Sequence, residues 1–210
     1  MIIDSLVLGD FLTNCYILRQ SESTTDCIII DPGLQPQPLI DFLQNNDLKP
    51  LAVILTHGHA DHFAGLNPLR QNFPEIKVHI HKLDAEMLTD PHSNLSLMAA
   101  APFAAQPPDA LLNDNDSIDI AGIKLTVLHT PGHTPGGISL YSKENDLVFT
   151  GDALFAESIG RTDFPSGNAD QLIQSIKQKL LTLPEDTAVY PGHGPKTTIK
   201  NEITQNPFLK

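Results

Sequence analysis

The most constraining feature of the sequence is the segment Thr56-His57-Gly58-His59-Ala60-Asp61-His62. It packs three imidazoles and a carboxylate into one short stretch, directly after the apolar run Leu51–Leu55, which reads as a buried strand. Such side chains at the carboxyl end of a strand call for a fold that builds its sites on loops leaving a sheet, as α/β proteins do. In an extended loop His57 and His59 project to the same side, because extended chain has a side-chain period of two. Asp61 and His62 are adjacent and must diverge. Ligands converging on two neighbouring points have the geometry of a pair of metal ions, and Gly58 lets the backbone fold tightly around them.

Three later segments repeat the device, each at the end of a predicted strand. Thr130-Pro131-Gly132-His133-Thr134-Pro135-Gly136-Gly137 holds His133 in a rigid turn, Phe149-Thr150-Gly151-Asp152 places Asp152, and Tyr190-Pro191-Gly192-His193-Gly194-Pro195 places His193. The set comprises five imidazoles and two carboxylates without a thiolate. It suits zinc, iron or manganese rather than a structural thiolate site. A lone loop histidine has an ordinary explanation; four strand-end turns that each offer a ligand do not. His79, His81, His92 and His129 lack that context. His79 and His81 read as one face of a strand, and His129 as a strand residue near the site. Asp31, in Asp31-Pro32-Gly33, reads either as a turn former or as a carboxylate that orients a ligand histidine.

The remaining pattern predicts strands at Ile2–Leu8, Thr13–Arg19 and Cys27–Ile30, a helix over Pro38–Asn46, and, after Leu51–Leu55, a short helix over Phe63–Asn72. A strand at Lys77–His81 and a short helix at Leu83–Leu88 follow. Thr89–Asp116, with its prolines and the alanine-rich patch Leu95–Ala105, reads as a long irregular loop of functional character. Strands are then expected at Ser117–Ile120, Lys124–His129, Ile138–Ser142 and Leu147–Thr150. A helix over Asn168–Leu183, N-capped by Asn168, precedes a strand at Ala188–Tyr190 and a last helix at Thr197–Gln205. Each half forms a sheet with helices for one face only. Two such halves packed sheet to sheet give an α/β four-layer αββα sandwich, expected as one domain over residues 1–210.

Charge narrows the partners. Lys+Arg number 13 against 25 Asp+Glu, a net charge of -12, and no basic run appears. Neither nucleic acid nor an anionic membrane is an expected partner for such a surface. Cys15 and Cys27 lie in apolar runs and read as small buried hydrophobes. Met1–Asp10 has no basic region or small-residue cleavage site, and no apolar run reaches membrane-spanning length, so a cytoplasmic location is expected.

In this arrangement the chain resembles the metallo-β-lactamase superfamily, through His57-x-His59-x-Asp61-His62, His133, Asp152 and His193 in order. It is most similar to the small hydrolases related to type II glyoxalase (hydroxyacylglutathione hydrolase). Asp31-Pro32-Gly33, Gly160-Arg161-Thr162-Asp163-Phe164 and the terminal Asn206-Pro207-Phe208 also match that subgroup. The resemblance implies the αββα fold. It implies His57, His59 and His133 on one metal, Asp61, His62 and His193 on the other, and Asp152 bridging both, with a water or hydroxide as second bridge. It implies two divalent ions, zinc first, and attack on a thioester such as S-lactoylglutathione, with Asp61 orienting the nucleophile. Full type II glyoxalases continue into a helical glutathione-binding domain, whereas 17 residues follow His193 here, room for one helix. Arg161 and Lys196 are therefore the candidate partners for a substrate carboxylate, the alternative for Arg161 being an ion pair with Asp163. The chain also resembles persulfide dioxygenases, where one iron would sit on His57, His133 and Asp152. A hydrolase of another small ester is a further alternative; the net charge of -12 argues against a nuclease, the missing signal-peptide pattern against a β-lactamase, and the complete ligand set against a non-enzymatic metal-binding domain.

Overall fold

Unbroken apolar runs form strands that must be covered on both faces, and the central strands of this protein show why. The computed structural model describes residues 1–98 and 102–210. Residues 99–101, inside the alanine-rich patch, lie outside the described residues. In the first half, β1 (Ile2–Leu8), β2 (Thr13–Arg19) and β3 (Asp26–Ile30) pair antiparallel, and β4 (Lys49–Ile54), β5 (Lys77–His81) and β6 (Ala110–Leu112) add in parallel. The second half builds a sheet from β7 (Ser117–Ile120), β8 (Ile123–His129), β9 (Ile138–Ser142) and β10 (Leu147–Gly151). A small hairpin, β11 (Leu154–Phe155) and β12 (Ser158–Ile159), interrupts it before β13 (Ala188–Pro191) and β14 (Thr197–Thr198) complete the edge.

Alternation within the strands divides the interior into three apolar layers. Cys15, Ile17, Cys27 and Ile29 face α1 (Gln37–Asn45) and α3 (Leu66–Asn72), meeting Leu39, Leu43, Leu66 and Leu69. Their neighbours Tyr16, Leu18, Ile28 and Ile30 face the other sheet through Leu125, Val127, Leu140 and Phe149. On its outer face the second sheet packs Val148 and Val189 against Leu172 of α4 (Ala169–Ser175), with Ile176 and Leu180 beyond it. The result is the expected four-layer αββα sandwich. Each fully buried Leu or Ile contributes about 1.5–3 kcal/mol relative to exposure; the middle layer holds the two sheets together and the outer two hold the helices to them. Both cysteines are buried free thiols.

Several local expectations change. The helix expected over Phe63–Asn72 is split. One turn, α2 (Ala60–Phe63), starts inside the histidine segment, and α3 follows Ala64-Gly65. Leu83–Leu88 shortens to a 3-10 turn at Ala85–Leu88. The long Thr89–Asp116 loop contains β6, whose three residues are strand only because they pair with His79, Ile80 and His81. The Asn168 side chain caps α4 by accepting from Gln171 N at 3.0 Å, as expected. After Ser175, however, the helix widens into a π-helical turn at Ile176–Leu180. Thr197-Thr198 belongs to the sheet, and α5 (Ile199–Gln205) begins after it. Among the described residues no helix is long and apolar enough to cross a membrane.

Candidate metal centre

The carboxyl ends of β4, β10 and β13 and the β8–β9 turn open toward one another. They bring together all seven side chains singled out in the sequence. Three overlapping groups have ligand atoms within 4.8 Å of one another: His57, His59 and His133; Asp61, His62 and His193; and His57, His62 and Asp152. His59 Nδ1 lies 2.9 Å from His133 Nε2, and His62 Nε2 lies 3.2 Å from His193 Nε2. Asp152 sits between the groups, with Oδ1 3.3 Å from His62 Nε2 and Oδ2 3.6 Å from both His133 Nε2 and His193 Nε2. Asp61 Oδ2 is 3.3 Å from His193 Nε2. Contrary to expectation, Asp61 and His62 do not diverge: both lie on the helical turn α2 rather than on extended chain, and their Oδ2 and Nε2 atoms come within 3.5 Å of each other.

Buried polar atoms are normally hydrogen-bonded. Among the described residues, four buried side-chain atoms lack a hydrogen-bond partner, and three of them are here: His57 Nε2, His59 Nε2 and Asp152 Oδ1. Unsatisfied imidazole nitrogens and a carboxylate oxygen converging in this way fit divalent cations.

The electrostatics prepare ligand forms at His57, His59, Asp61 and Asp152, while His62 must release a proton to ligate. Burial, reinforced by the neighbouring imidazoles, holds His57 well below the usual histidine range. Burial and His133 push His59 down to about 3. Both are therefore neutral imidazoles at pH 7. Burial pushes the Asp61 carboxyl up, but His62 and His193 outweigh it and hold the group below its ordinary value. In Asp152 the same contest, again led by His62 against burial, ends below the ordinary value. Burial pushes His62 down, but Asp152, Asp61 and Asp31 together hold it well above the usual range.

Asp31 takes the second of its two sequence readings without losing the first. It lies in the left-handed region, φ 50°, at the turn after β3. Its Oδ2 is 2.8 Å from His62 Nδ1 and accepts from Thr56 Oγ1 at 2.6 Å, while Oδ1 accepts from Thr56 N at 2.8 Å. Glycine at 192 has a spatial cause: a Cβ there would collide with Asp152 Oδ1 and lie 2.8 Å from His62 Cε1. One residue passed unnoticed in the sequence. Asp84, fully buried, accepts from Gly58 N, Thr134 Oγ1 and Gly136 N. No motif marks it, since its partners lie 26, 50 and 52 residues away.

A cleft of about 620 Å³ opens above the cluster. Its walls include Phe11, Leu95, Phe155, Ile159 and Phe164, and its floor includes His59, Asp61, His133, Asp152 and His193. Arg161 also lines it, but its guanidinium binds Asp163 through Nε at 2.7 Å and Nη2 at 2.8 Å and lies 4.1 Å from the Phe164 ring centroid. The internal ion pair foreseen as its alternative is formed. The Lys196 ammonium lies 4.2 Å over the Tyr190 ring and does not line the cleft. His129 is 2.9 Å through Nε2 from the Pro135 carbonyl, and its ring stacks on His81 at 4.2 Å. It braces the His133 turn and touches no clustered nitrogen.

Known proteins share this plan. The chain is similar to "Hydroxyacylglutathione hydrolase GloC" of Haemophilus influenzae, 36% identical over 210 residues that cover 100% of this chain and 98% of that one. A crystal structure of BLEG-1 B3 metallo-beta-lactamase matches with TM-score 0.93 and 40% identity over 100% of both chains. One of TTHA1623 in a di-iron-bound form matches with TM-score 0.83 and 36% identity, covering 98% of this chain and 100% of that one. The profile of the metallo-beta-lactamase superfamily matches residues 8–193, a span that runs through all seven clustered side chains, and the chain belongs to that superfamily.

Proposed function

We propose that this metallohydrolase cleaves a thioester of the S-lactoylglutathione type with two divalent cations. The observation that carries the reading is the convergence of unsatisfied His57, His59 and Asp152 atoms in one cluster, of which His59 and Asp152 line a cleft large enough for a small-molecule substrate. His57, His59 and His133 would hold one cation, Asp61, His62 and His193 the other, and Asp152, within reach of both groups, would bridge them. Zinc suits this nitrogen and oxygen set, as do iron and manganese; the relative solved with two irons supports a pair of ions. The relative named hydroxyacylglutathione hydrolase supports the substrate class.

Bound cations would supply Lewis acidity and bring the pKa of water toward 7. The chain's own groups do the rest. Asp61 accepts a hydrogen bond from the attacking water and aims it at the thioester carbonyl. Asp31 and Asp152 keep His62 in place beside it. The departing thiolate needs no strong general acid. Phe11, Phe155, Ile159 and Phe164 exclude water from the thiol arm. Arg161, half free of the protein surface, can exchange Asp163 for a substrate carboxylate. Lys196 would serve only a substrate long enough to reach past Tyr190.

A second reading, hydrolysis of the cyclic amide of a β-lactam, is favoured by the likeness to the B3 metallo-beta-lactamase structure. Metal quantification and hydrolysis of S-lactoylglutathione on one purified sample test the proposal. Two metals per chain and rapid thioester turnover are expected. Turnover confined to a cephalosporin would select the second reading. One iron per chain with oxygen uptake on a persulfide would replace both by a dioxygenase.

A further inference from the structure

Asp84 belongs to neither ligand-bearing turn, and the chemistry above does not use it. It follows β5 by three residues and is fully buried at the start of the 3-10 turn Ala85–Leu88. All three hydrogen bonds to its carboxylate come from the two turns that carry His57, His59 and His133. Oδ2 accepts from Gly58 N at 3.1 Å, between His57 and His59, and from Thr134 Oγ1 at 2.6 Å, beside His133. Oδ1 accepts from Gly136 N at 2.6 Å.

These turns belong to different sheets: the first leaves β4 and the second joins β8 to β9. One buried carboxylate therefore fixes the distance between them. The fit around it is tight. A Cβ on Gly136 would lie 2.6 Å from Asp84 N and Oδ1, and one on Gly58 would lie 2.6 Å from Met87 Cβ, one turn beyond Asp84. Asp31 does comparable work on the opposite side, holding His62 directly. None of Asp84's bonds reaches the helical turn Ala60–Phe63, which carries Asp61 and His62, or the His193 turn.

We infer that Asp84 is a positioning residue that sets the spacing of His57 and His59 from His133, and so the affinity and geometry of the cation held by those three alone. The inference rests on reading the cluster as a two-cation centre. Outer-shell partners of this kind typically change metal affinity 10–100-fold. Asp84→Asn keeps the volume but turns one of the two acceptor oxygens into a donor, so the backbone N–H of either Gly58 or Gly136 loses its acceptor.

The test titrates metal-free protein with Co(II), following the visible absorption of each equivalent and its affinity by chelator competition. The wild type is expected to take two equivalents. In Asp84→Asn one equivalent should bind 10–100-fold more weakly with an altered spectrum, while the other keeps its wild-type spectrum and affinity. Asp31→Asn should weaken the opposite equivalent. A merely structural Asp84 would lower the melting temperature and weaken both equivalents together, or neither, and either result overturns the inference. If Asp84→Asn does not fold, Thr134→Val removes one of the three bonds and is held to the same split. A wild type that takes no cobalt would overturn the two-cation reading itself, and Asp84's role with it.

Discussion

Oδ2 of Asp31 lies 2.8 Å from Nδ1 of His62, and this contact decides which way the His62 ring faces. With Nδ1 engaged, Nε2 is left toward Asp61, Asp152 and His193. Asp31→Ala should cut affinity for the ion on His62 by about 10–100-fold, as loss of an outer carboxylate does. Chelator competition measures it, and an unchanged affinity would show that the ring is held by something else.

Gly192→Ala tests how closely the His193 turn approaches Asp152. The added carbon has no room beside Asp152 Oδ1 and His62 Cε1. A shift of about 1 Å at a reacting centre costs on the order of 100-fold in rate, so kcat/KM should fall by that order with far-UV circular dichroism unchanged. Wild-type kinetics would mean that the turn can retreat freely.

Glu202 is a third buried acid, with a purely structural post. It accepts from Glu157 N at 2.9 Å, Thr197 Oγ1 at 2.7 Å, Asn201 Nδ2 at 3.0 Å and Asn206 Nδ2 at 2.8 Å. Glu202→Ala leaves several donors unmet, each costing about 1–3 kcal/mol if water cannot reach it. Urea unfolding should show a loss of about 3 kcal/mol; a loss below about 1 kcal/mol would mean that water takes the carboxylate's place.

The stacked rings of His81 and His129 join the two sheets away from the metal cluster. Burial first, then the nearness of His129 and Lys82, push His81 down to about 4, against the pull of Asp114 and Asp116. An unfolded histidine titrates near 6.5, so below that pH the unfolded chain takes up a proton that the folded chain refuses. Stability is full above about pH 6.5 and declines as the pH falls toward 4, by on the order of 1–2 kcal/mol once screening near the ring edge is allowed for. His81→Phe should lose this part of the acid decline. Melts at pH 7 and pH 4.5 compare the two proteins, and parallel losses would count against the pair.

Metal removal should be visible in the fold. A ligand that binds only the native state at a hundredfold its Kd adds about 2.7 kcal/mol per site. Zinc should therefore raise the melting temperature of chelator-treated protein, and two saturable increments should appear in a titration. A flat response would speak against any cation in the cluster.

The seven clustered residues were legible in the sequence because each lies in a segment that leaves a strand end, where turn chemistry and apolar runs locate it without knowledge of its partners. The four layers followed from the same runs, whose odd and even residues enter different interiors, as Ile28 and Ile29 do. Asp84 was not legible. Its neighbours in sequence are unexceptional, and its meaning lies in donors brought to it from Gly58, Thr134 and Gly136. The strand Ala110–Leu112 was hidden for the same reason, being strand only by virtue of β5. The π-helical turn at Ile176–Leu180 leaves no trace in a pattern whose apolar spacing fits an α-helix equally well.

The His193 turn is tied to the opposite end of the chain. Thr13 forms an isolated bridge with His193, Asn14 Nδ2 donates to the carbonyls of Pro191 and Gly194, and the Tyr16 hydroxyl donates to that of Pro191. During ribosomal synthesis β2 has β1 and β3 beside it early, but its contacts with the His193 turn must wait for nearly the whole chain. Until then a nascent chain can gather His57, His59 and His133, but has no full coordination sphere on the His62 side. On the two-cation reading proposed above, the ligand set on the His62 side is therefore complete only once the N-terminal strands close over the last histidine.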